Sequence, residues 1–350
     1  MADPLKSLLT WSIANTDTSN RSRAPRAALH PSDNESSGPE VQLAPSTAGP
    51  APTPKPRSDL TSDMLDHIMG KSDAVVMREK LNIALDEKND VNERVFALDD
   101  FEMLVEMIDN ANNIENMQMW PKIMTLLESS QDPVICHACW ISGTAIQNNL
   151  TAQKAFLDKD PLPKIFSLIS SIHPSTSTVK ISPQTRAKAV YCLSSSLKNW
   201  PGAGDLLSND SNRGWIILRE GLRDPEMTIR RKIAFLLNAL IIQSAETQAG
   251  EDGMKRMLDG MTSNGIIDGL VSSLTDPLPV GADGDAEPDW DLQEKSFAAL
   301  MSAARNGGLN GENKTALVQV IKNWRGAEGG LDNVGLSESE ADEALAILGA

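Results

Sequence analysis

An all-α fold, a solenoid of armadillo- or HEAT-like helical repeats behind a flexible N-terminal extension, follows from three observations in this 350-residue chain. Beyond Asp59 the apolar residues keep helical spacing and never settle into strand alternation. Gly, Pro, Asn and Asp punctuate those stretches at intervals of about ten to fifteen residues. The heptapeptide PKIMTLL at Pro121–Leu127 returns 42 residues later as PKIFSLI at Pro163–Ile169, the length of one repeat of that kind.

The elements follow in chain order. Asp3 and Pro4 form an N-cap and first-turn pair ahead of Leu5, Leu8, Leu9 and Ile13, so residues 1–16 predict a short amphipathic helix. Residues 17–58 read as a disordered linker. They are rich in Pro, Ser and Ala, and nine of the chain's 20 prolines fall in the first 58 residues, a composition that cannot pack a core. Those 58 residues carry six basic and five acidic groups, so the net charge of −16 belongs to the part that folds. Residues 59–90 lead as a helical segment into the array, which occupies 91–350.

At its front lies FEMLVEMIDNANNIENM, Phe101–Met117. Phe101, Leu104, Val105 and Ile108 fall at i, i+3, i+4 and i+7 and predict one buried helical face. Asn110, Asn112, Asn113 and Asn116 follow with little to bury, which by itself reads as a helix end and turn. A second set of matches sets the repeat register: Ile135-x-x-Ala138-x-Trp140, Arg186-x-x-Ala189-x-Tyr191 and Arg230-x-x-Ile233-x-Phe235 superpose, and Arg94-x-x-Ala97 fits ahead of them. The longest step holds a Ser/Thr-rich insert, His173 to Ser182. Asp132-Pro133, Asp224-Pro225 and Asp276-Pro277 are expected to open new helices, because proline suits a first helical turn. Gly281 to Asp291 reads as an insertion loop; its glycine is misplaced for a calcium-binding loop. Ser337 and Glu340 form a capping box before Ala341, Ala344, Leu345 and Leu348, a helix suited to closing the array.

Composition excludes several functions. With 4% aromatic residues, the single tyrosine Tyr191 and a strongly acidic balance, the chain offers neither a base-stacking platform nor attraction to phosphate, so no nucleic-acid or membrane partner is expected. Cys136, Cys139 and Cys192 give no disulfide framework and suit a reducing compartment, with the cytosol as the default. No apolar run is long enough for a membrane span, and Asp3 stands where a secretory signal would be basic. No phosphate-cradling loop, HExxH, GxSxG or GxGxxG is present, and Cys136-His137-Ala138-Cys139 lacks a second ligand pair, so neither catalysis nor a metal or other cofactor is expected. The Trp-x-x-x-Asn ladder of peptide-binding armadillo adaptors occurs only at Trp11 to Asn15, outside the repeats.

The string Phe101–Met117, the later Gly143-Thr144-Ala145-Ile146-Gln147-Asn148-Asn149 and the opening Leu8-Leu9-Thr10-Trp11-Ser12-Ile13-Ala14-Asn15 together resemble the armadillo-type nucleotide-exchange factors of heat-shock protein 70 chaperones, particularly the fungal ones. The resemblance implies a helical clamp, monomeric and without chemistry of its own, that holds the chaperone's ATPase domain with the nucleotide cleft open so that ADP leaves. It implies chaperone contacts at Glu102, Asn110, Ala111, Asn112, Asn113, Asn148, Asn149, Arg230 and Arg231; small Ala111 is expected to permit close approach, so that Ala111→Arg blocks binding by bulk and charge without unfolding the array. It also implies an N-terminal segment that aids substrate release, formed by Leu8, Leu9, Trp11 and Ile13 or by Leu65 and Ile68. The alternative reading is a generic armadillo scaffold or adaptor without exchange activity.

Overall fold

The computed structural model describes residues 70–170, 179–246, 250–278 and 289–350, the side chains of 250 and 251 excepted. The chain divides into the units Met1–Ser58 and Asp59–Ala350, and every described residue belongs to the second. The expected N-terminal helix and linker, with Leu8, Leu9, Trp11, Ile13, Leu65 and Ile68, lie outside the described residues.

Those residues form fifteen α-helices and one short 3-10 turn, with no strand among them. α1 (Asp73–Leu85) and α2 (Val91–Val105) open the array. Three-helix repeats follow: α3 (Ile108–Asn116), α4 (Trp120–Leu126) and α5 (Asp132–Ile146), then α6 (Leu150–Leu157), α7 (Leu162–Ile169) and α8 (Pro183–Leu197). Next come α9 (Ala203–Gly221) with α10 (Met227–Glu246), and α11 (Gly250–Ser263) with α12 (Ile266–Thr275) and α13 (Trp290–Arg305). α14 (Gly311–Gly326), the 3-10 turn Gly330–Val334 and α15 (Glu338–Leu348) end the chain. The third helices α2, α5, α8, α10 and α13 stack in series, each on the next, and one continuous core of Leu, Ile, Val and small residues runs through all the layers. Neighbours supply each other's burial, as stacked repeats require.

The register read from the sequence holds. Arg94, Ile135, Arg186 and Arg230 are each the fourth residue of their third helix, and Pro121 and Pro163 are each the second residue of α4 and α7. Two of the arginines have a structural task. Arg94 Nε donates to the Ala84 carbonyl at 2.7 Å and Arg186 Nε to the Ile169 carbonyl at 3.2 Å, so each cation closes the C-terminus of the preceding helix, where unpaired carbonyls and the helix dipole favour positive charge. Turns repeat as well. Gln118 and Asp160 take positive φ after α3 and α6, and Asn148 and Asn199 do so after α5 and α8. Asparagine and aspartate tolerate that region better than most residues, which accounts for part of the asparagine content.

In α9 the helix breaks at Asn209–Asn212, where Asp210, Ser211 and Asn212 all have positive φ. The two halves then fold on each other, with Gly214 so close to Leu207 that a Cβ would meet the Leu207 Cα at 2.8 Å. The capping box at Ser337 and Glu340 is formed.

Three expectations need correction. Phe101–Met117 is not one helix followed by a turn: α2 stops at Val105, Ile108 begins α3 and is 59% exposed, and the asparagines lie on α3 with Asn110, Ala111 and Ile114 turned inward. The bend at Glu106–Met107 interrupts the periodicity on which the apolar stripe was counted. Of the Asp-Pro pairs only Asp132-Pro133 opens a helix; Asp224-Pro225 lies in the link before α10, and Asp276-Pro277 follows the end of α12. Most of the loop read at Gly281–Asp291 lies outside the described residues, but Asp289 caps α13 through Leu292 N, and Asp291 is already within that helix.

Candidate functional site

Because the third helices share one register, equivalent positions form rows along one face. The sixth residues are Phe96, His137, Lys188, Lys232 and Lys295; the ninth include Trp140, Tyr191 and Phe235. Phe96 is 70% exposed and Phe235 50%. The rows interlock: the Lys188 ammonium sits 3.3 Å from the centroid of the Trp140 ring in the helix before it, a cation–π contact.

A polar ladder joins three of these helices. Thr144 Oγ1 donates to Glu102 Oε1 at 2.7 Å and lies 3.4 Å from the Tyr191 hydroxyl, which donates to Gln147 Oε1 at 2.8 Å. Gly143 makes room for that tyrosine, since a Cβ there would come within 2.5 Å of its ring. At the helix ends, buried Gln153 reaches the carbonyls of Ser195, Ser196 and Lys198, and Gln243 reaches that of Leu197, so the α8 C-terminus is closed from both sides. On the same early repeats, Met103, Met107, Ile108 and Leu150 are exposed and apolar. Ile108 and Leu150 are the first residues of α3 and α6, which pack together. Exposed apolar side chains grouped in this way mark a surface that meets a partner.

Of the nine residues expected to touch a chaperone, four are at the surface. Asn148 is exposed and its Oδ1 accepts from Asn199 Nδ2 at 3.4 Å. Asn112 and Asn113 are half-buried on α3. Arg231 is partly exposed and already paired, with Asp289 at 2.8 Å and Asp291 at 3.3 Å. The other five are buried, and four of them bond or pack inside the chain. Glu102 anchors the ladder through Thr144. Asn110 Nδ2 donates to Asp73 Oδ2 at 2.8 Å and to the Leu104 carbonyl at 2.9 Å, which ties α3 to α1. Asn149 caps α6 by accepting from Ala152 N. Ala111 is 2% exposed in the core, so an arginine at 111 would have to enter the packing and would act on the fold before it reached any partner. Arg230 is 2% exposed at the position equivalent to Arg94 and Arg186, but its Nε has no hydrogen-bond partner among the described residues, and burial pushes its pKa down.

The three cysteines are also buried, and burial raises all three thiols above their ordinary range, which leaves them inert. Among the described residues no group of three or more His, Cys, Asp or Glu is placed to hold a metal ion, and no helix is long and apolar enough to cross a membrane. Lys188, Lys198, Lys232 and the exposed Met103 and Met107 were not singled out from the sequence. The aligned aromatic column held the signal for the lysines, since Lys188 and Lys232 each stand three residues before its Tyr191 and Phe235.

A family profile described as "Nucleotide exchange factor Fes1" matches residues 5–114. The "Hsp70 nucleotide exchange factor FES1" of Cryptococcus neoformans var. neoformans serotype D is 37% identical over 359 aligned positions, covering 90% of this chain and 92% of that protein. The protein of the same description from Mycosarcoma maydis is 35% identical, over 70% of this chain and 73% of its own length. Among solved structures, a designed armadillo repeat protein superposes with a TM-score of 0.54 at 14% identity, covering 78% of this chain and 99% of that one, a likeness of fold alone. The similarity to the fungal proteins thus runs far past the matched N-terminal profile and through the repeats that carry the third-helix face, and the chain belongs to the Fes1 family of Hsp70 nucleotide exchange factors.

Proposed function

We propose that this chain is a monomeric cytosolic co-chaperone that binds the ATPase domain of an Hsp70 and accelerates ADP release, with no chemistry of its own. The observation that carries this reading is the 37% identity to a curated exchange factor over 90% of the chain, which includes the stack and its exposed face. The mechanism is linkage: a surface that binds the open, nucleotide-free ATPase domain more tightly than the closed one weakens nucleotide by the same factor. The contact is drawn on Asn112, Asn113, Asn148 and Arg231, together with the exposed Met103, Met107, Ile108 and Leu150. Glu102, Asn110, Ala111, Asn149 and Arg230 position that surface from within. The N-terminal segment, through Leu8, Leu9, Trp11 and Ile13 or through Leu65 and Ile68, assists release of the chaperone's substrate. A short apolar motif on a proline-rich tether suits that task, because the tether keeps it at high local concentration.

The test is ADP release. An Hsp70 ATPase domain loaded with fluorescent ADP is mixed with the full chain and excess unlabelled nucleotide; the release rate should rise with chain concentration and saturate. Binding with no change in release would instead leave the protein a scaffold.

A further inference from the structure

The sequence holds three Asn–Gly pairs, Asn264-Gly265, Asn306-Gly307 and Asn310-Gly311. In such a pair the glycine carries no side chain to keep its backbone nitrogen away from the asparagine side-chain carbonyl carbon, and the chain can close a ring on itself. The fold treats the three pairs differently. At the first two the glycine ends a helix in the left-handed region, with φ +73° for Gly265 and +75° for Gly307. Gly265 N donates to the Thr262 carbonyl and Gly307 N to the Ala304 carbonyl, both at 3.1 Å. Their asparagines are tied down as well: Asn264 Nδ2 donates to the Gly260 carbonyl and Asn306 Nδ2 to the Ser302 carbonyl, both at 2.8 Å.

None of these restraints holds at the third pair. Asn310 is the N-cap of α14 and Gly311 its first residue, so the Gly311 N–H is one of the first-turn donors that a helix leaves unpaired; neither it nor Asn310 Nδ2 has a hydrogen-bond partner among the described residues. Both residues are exposed, and a Cβ at 311 would meet nothing within 4 Å. The capping bond adds activation. Asn313 N donates to Asn310 Oδ1 at 2.8 Å, which draws charge from the Cγ carbon, and the positive end of the helix favours the oxyanion that forms when that carbon is attacked.

We propose that Asn310-Gly311 is a self-modifying site, at which Gly311 N attacks Asn310 Cγ. The N–Cγ bond forms and closes a succinimide ring, the Cγ–Nδ2 bond breaks, and the amide proton of Gly311 passes through water to the ammonia that leaves. Water then opens the ring at either carbonyl, giving aspartate where the N–Cγ bond breaks and isoaspartate where the backbone C–N bond breaks. Aspartate keeps the cap of α14 and adds the negative charge that a helix start favours, whereas isoaspartate lengthens the backbone by a carbon atom and loses the cap. Because α14 and α15 end the array, the second product loosens its last layer. It also makes the chain a substrate for carboxyl methylation from S-adenosylmethionine, the chemistry that recognises isoaspartyl residues.

The experiment is peptide mapping of the full chain after warm incubation at mildly alkaline pH, once native and once in urea. Trypsin releases Asn306–Lys314 as a single peptide that holds two of the pairs, and fragmentation by electron transfer locates the change and separates isoaspartate from aspartate. In the native chain Asn310 should convert about tenfold or more faster than Asn264 and Asn306, each of which must first give up its two hydrogen bonds. In urea the three should convert within about threefold of one another, because the dipeptide is the same and the fold no longer distinguishes them. Methyl label taken up by the aged native chain from S-adenosylmethionine, with an isoaspartyl methyltransferase, should be lost in Asn310→Ser, which keeps a cap. If Asn264 or Asn306 converts as fast as Asn310 in the native chain, or if Asn310 stays intact there while all three convert in urea, the inference falls. The exchange-factor reading stands or falls separately, by the release of ADP.

Discussion

Single residues set the shape of the third-helix face, and Gly143 is the clearest of them. It lies at the twelfth position of α5, under the ring of Tyr191, at the step where Glu102, Thr144, Tyr191 and Gln147 hand hydrogen bonds from one repeat to the next. A methyl group there overlaps the aromatic edge, so the tyrosine must rotate and give up Gln147. Gly143→Ala is expected to lower stability by about 1–3 kcal/mol despite alanine's better helix propensity, because overpacking outweighs that gain. Urea unfolding followed by circular dichroism gives the value, and an unchanged or raised midpoint would mean that the tyrosine has free room. Tyr191 itself is held mostly out of water, which raises its pKa, so the ladder keeps its proton across the physiological range.

At the level of helices, the recurring arginine shows what the sequence discloses and what it hides. Arg94, Arg186 and Arg230 were visible as a periodic column; their position inside the packing was not, because arginine away from any apolar run reads as solvated surface. The difference lies in tertiary geometry: at 94 and 186 the fourth residue of the third helix faces the end of the helix before it, and only the stack reveals the carbonyl it meets there. The same limit explains Ile108 and Ala111. Counting apolar residues at i, i+3, i+4 and i+7 assumes an unbroken helix, and the bend at Glu106–Met107 reverses which side of α3 is inside. The repeat period and the closing capping box need only local rules, and those were legible; two of the three Asp-Pro pairs misled, because proline suits a link between helices as well as a first helical turn. Arg186 adds a buried ion pair with Asp224 to its capping bond, both side chains being nearly fully covered. Arg186→Met should therefore cost about 3–5 kcal/mol by leaving the Asp224 charge buried and alone, and Asp224→Asn in the same chain should recover part of that loss. Arg94 has only a carbonyl to lose, and Arg94→Met should cost about 1 kcal/mol. Thermal melts of the four proteins order the two capping sites, and equal costs at 94 and 186 would contradict the role assigned to Asp224.

Across the whole molecule, function turns on whether a passive stack of helices can do work on another protein's nucleotide. On the proposed reading, its effect on ADP passes through the shape it prefers in its partner. That preference is reciprocal and can be measured from either side. Affinity of the full chain for the Hsp70 ATPase domain, measured by calorimetry without nucleotide and with saturating ADP, should fall by a factor on the order of 5 to 150 when ADP is present. The ADP dissociation constant should rise by the same factor when the chain saturates the domain. Ile108→Glu with Met107→Glu, both at exposed positions, should weaken binding in each state while leaving the ratio near its wild-type value, because those side chains supply contact area that both states share. A ratio of one in the wild type would mean that the stack grips its partner without preferring either shape, and no acceleration of release could then come from this face.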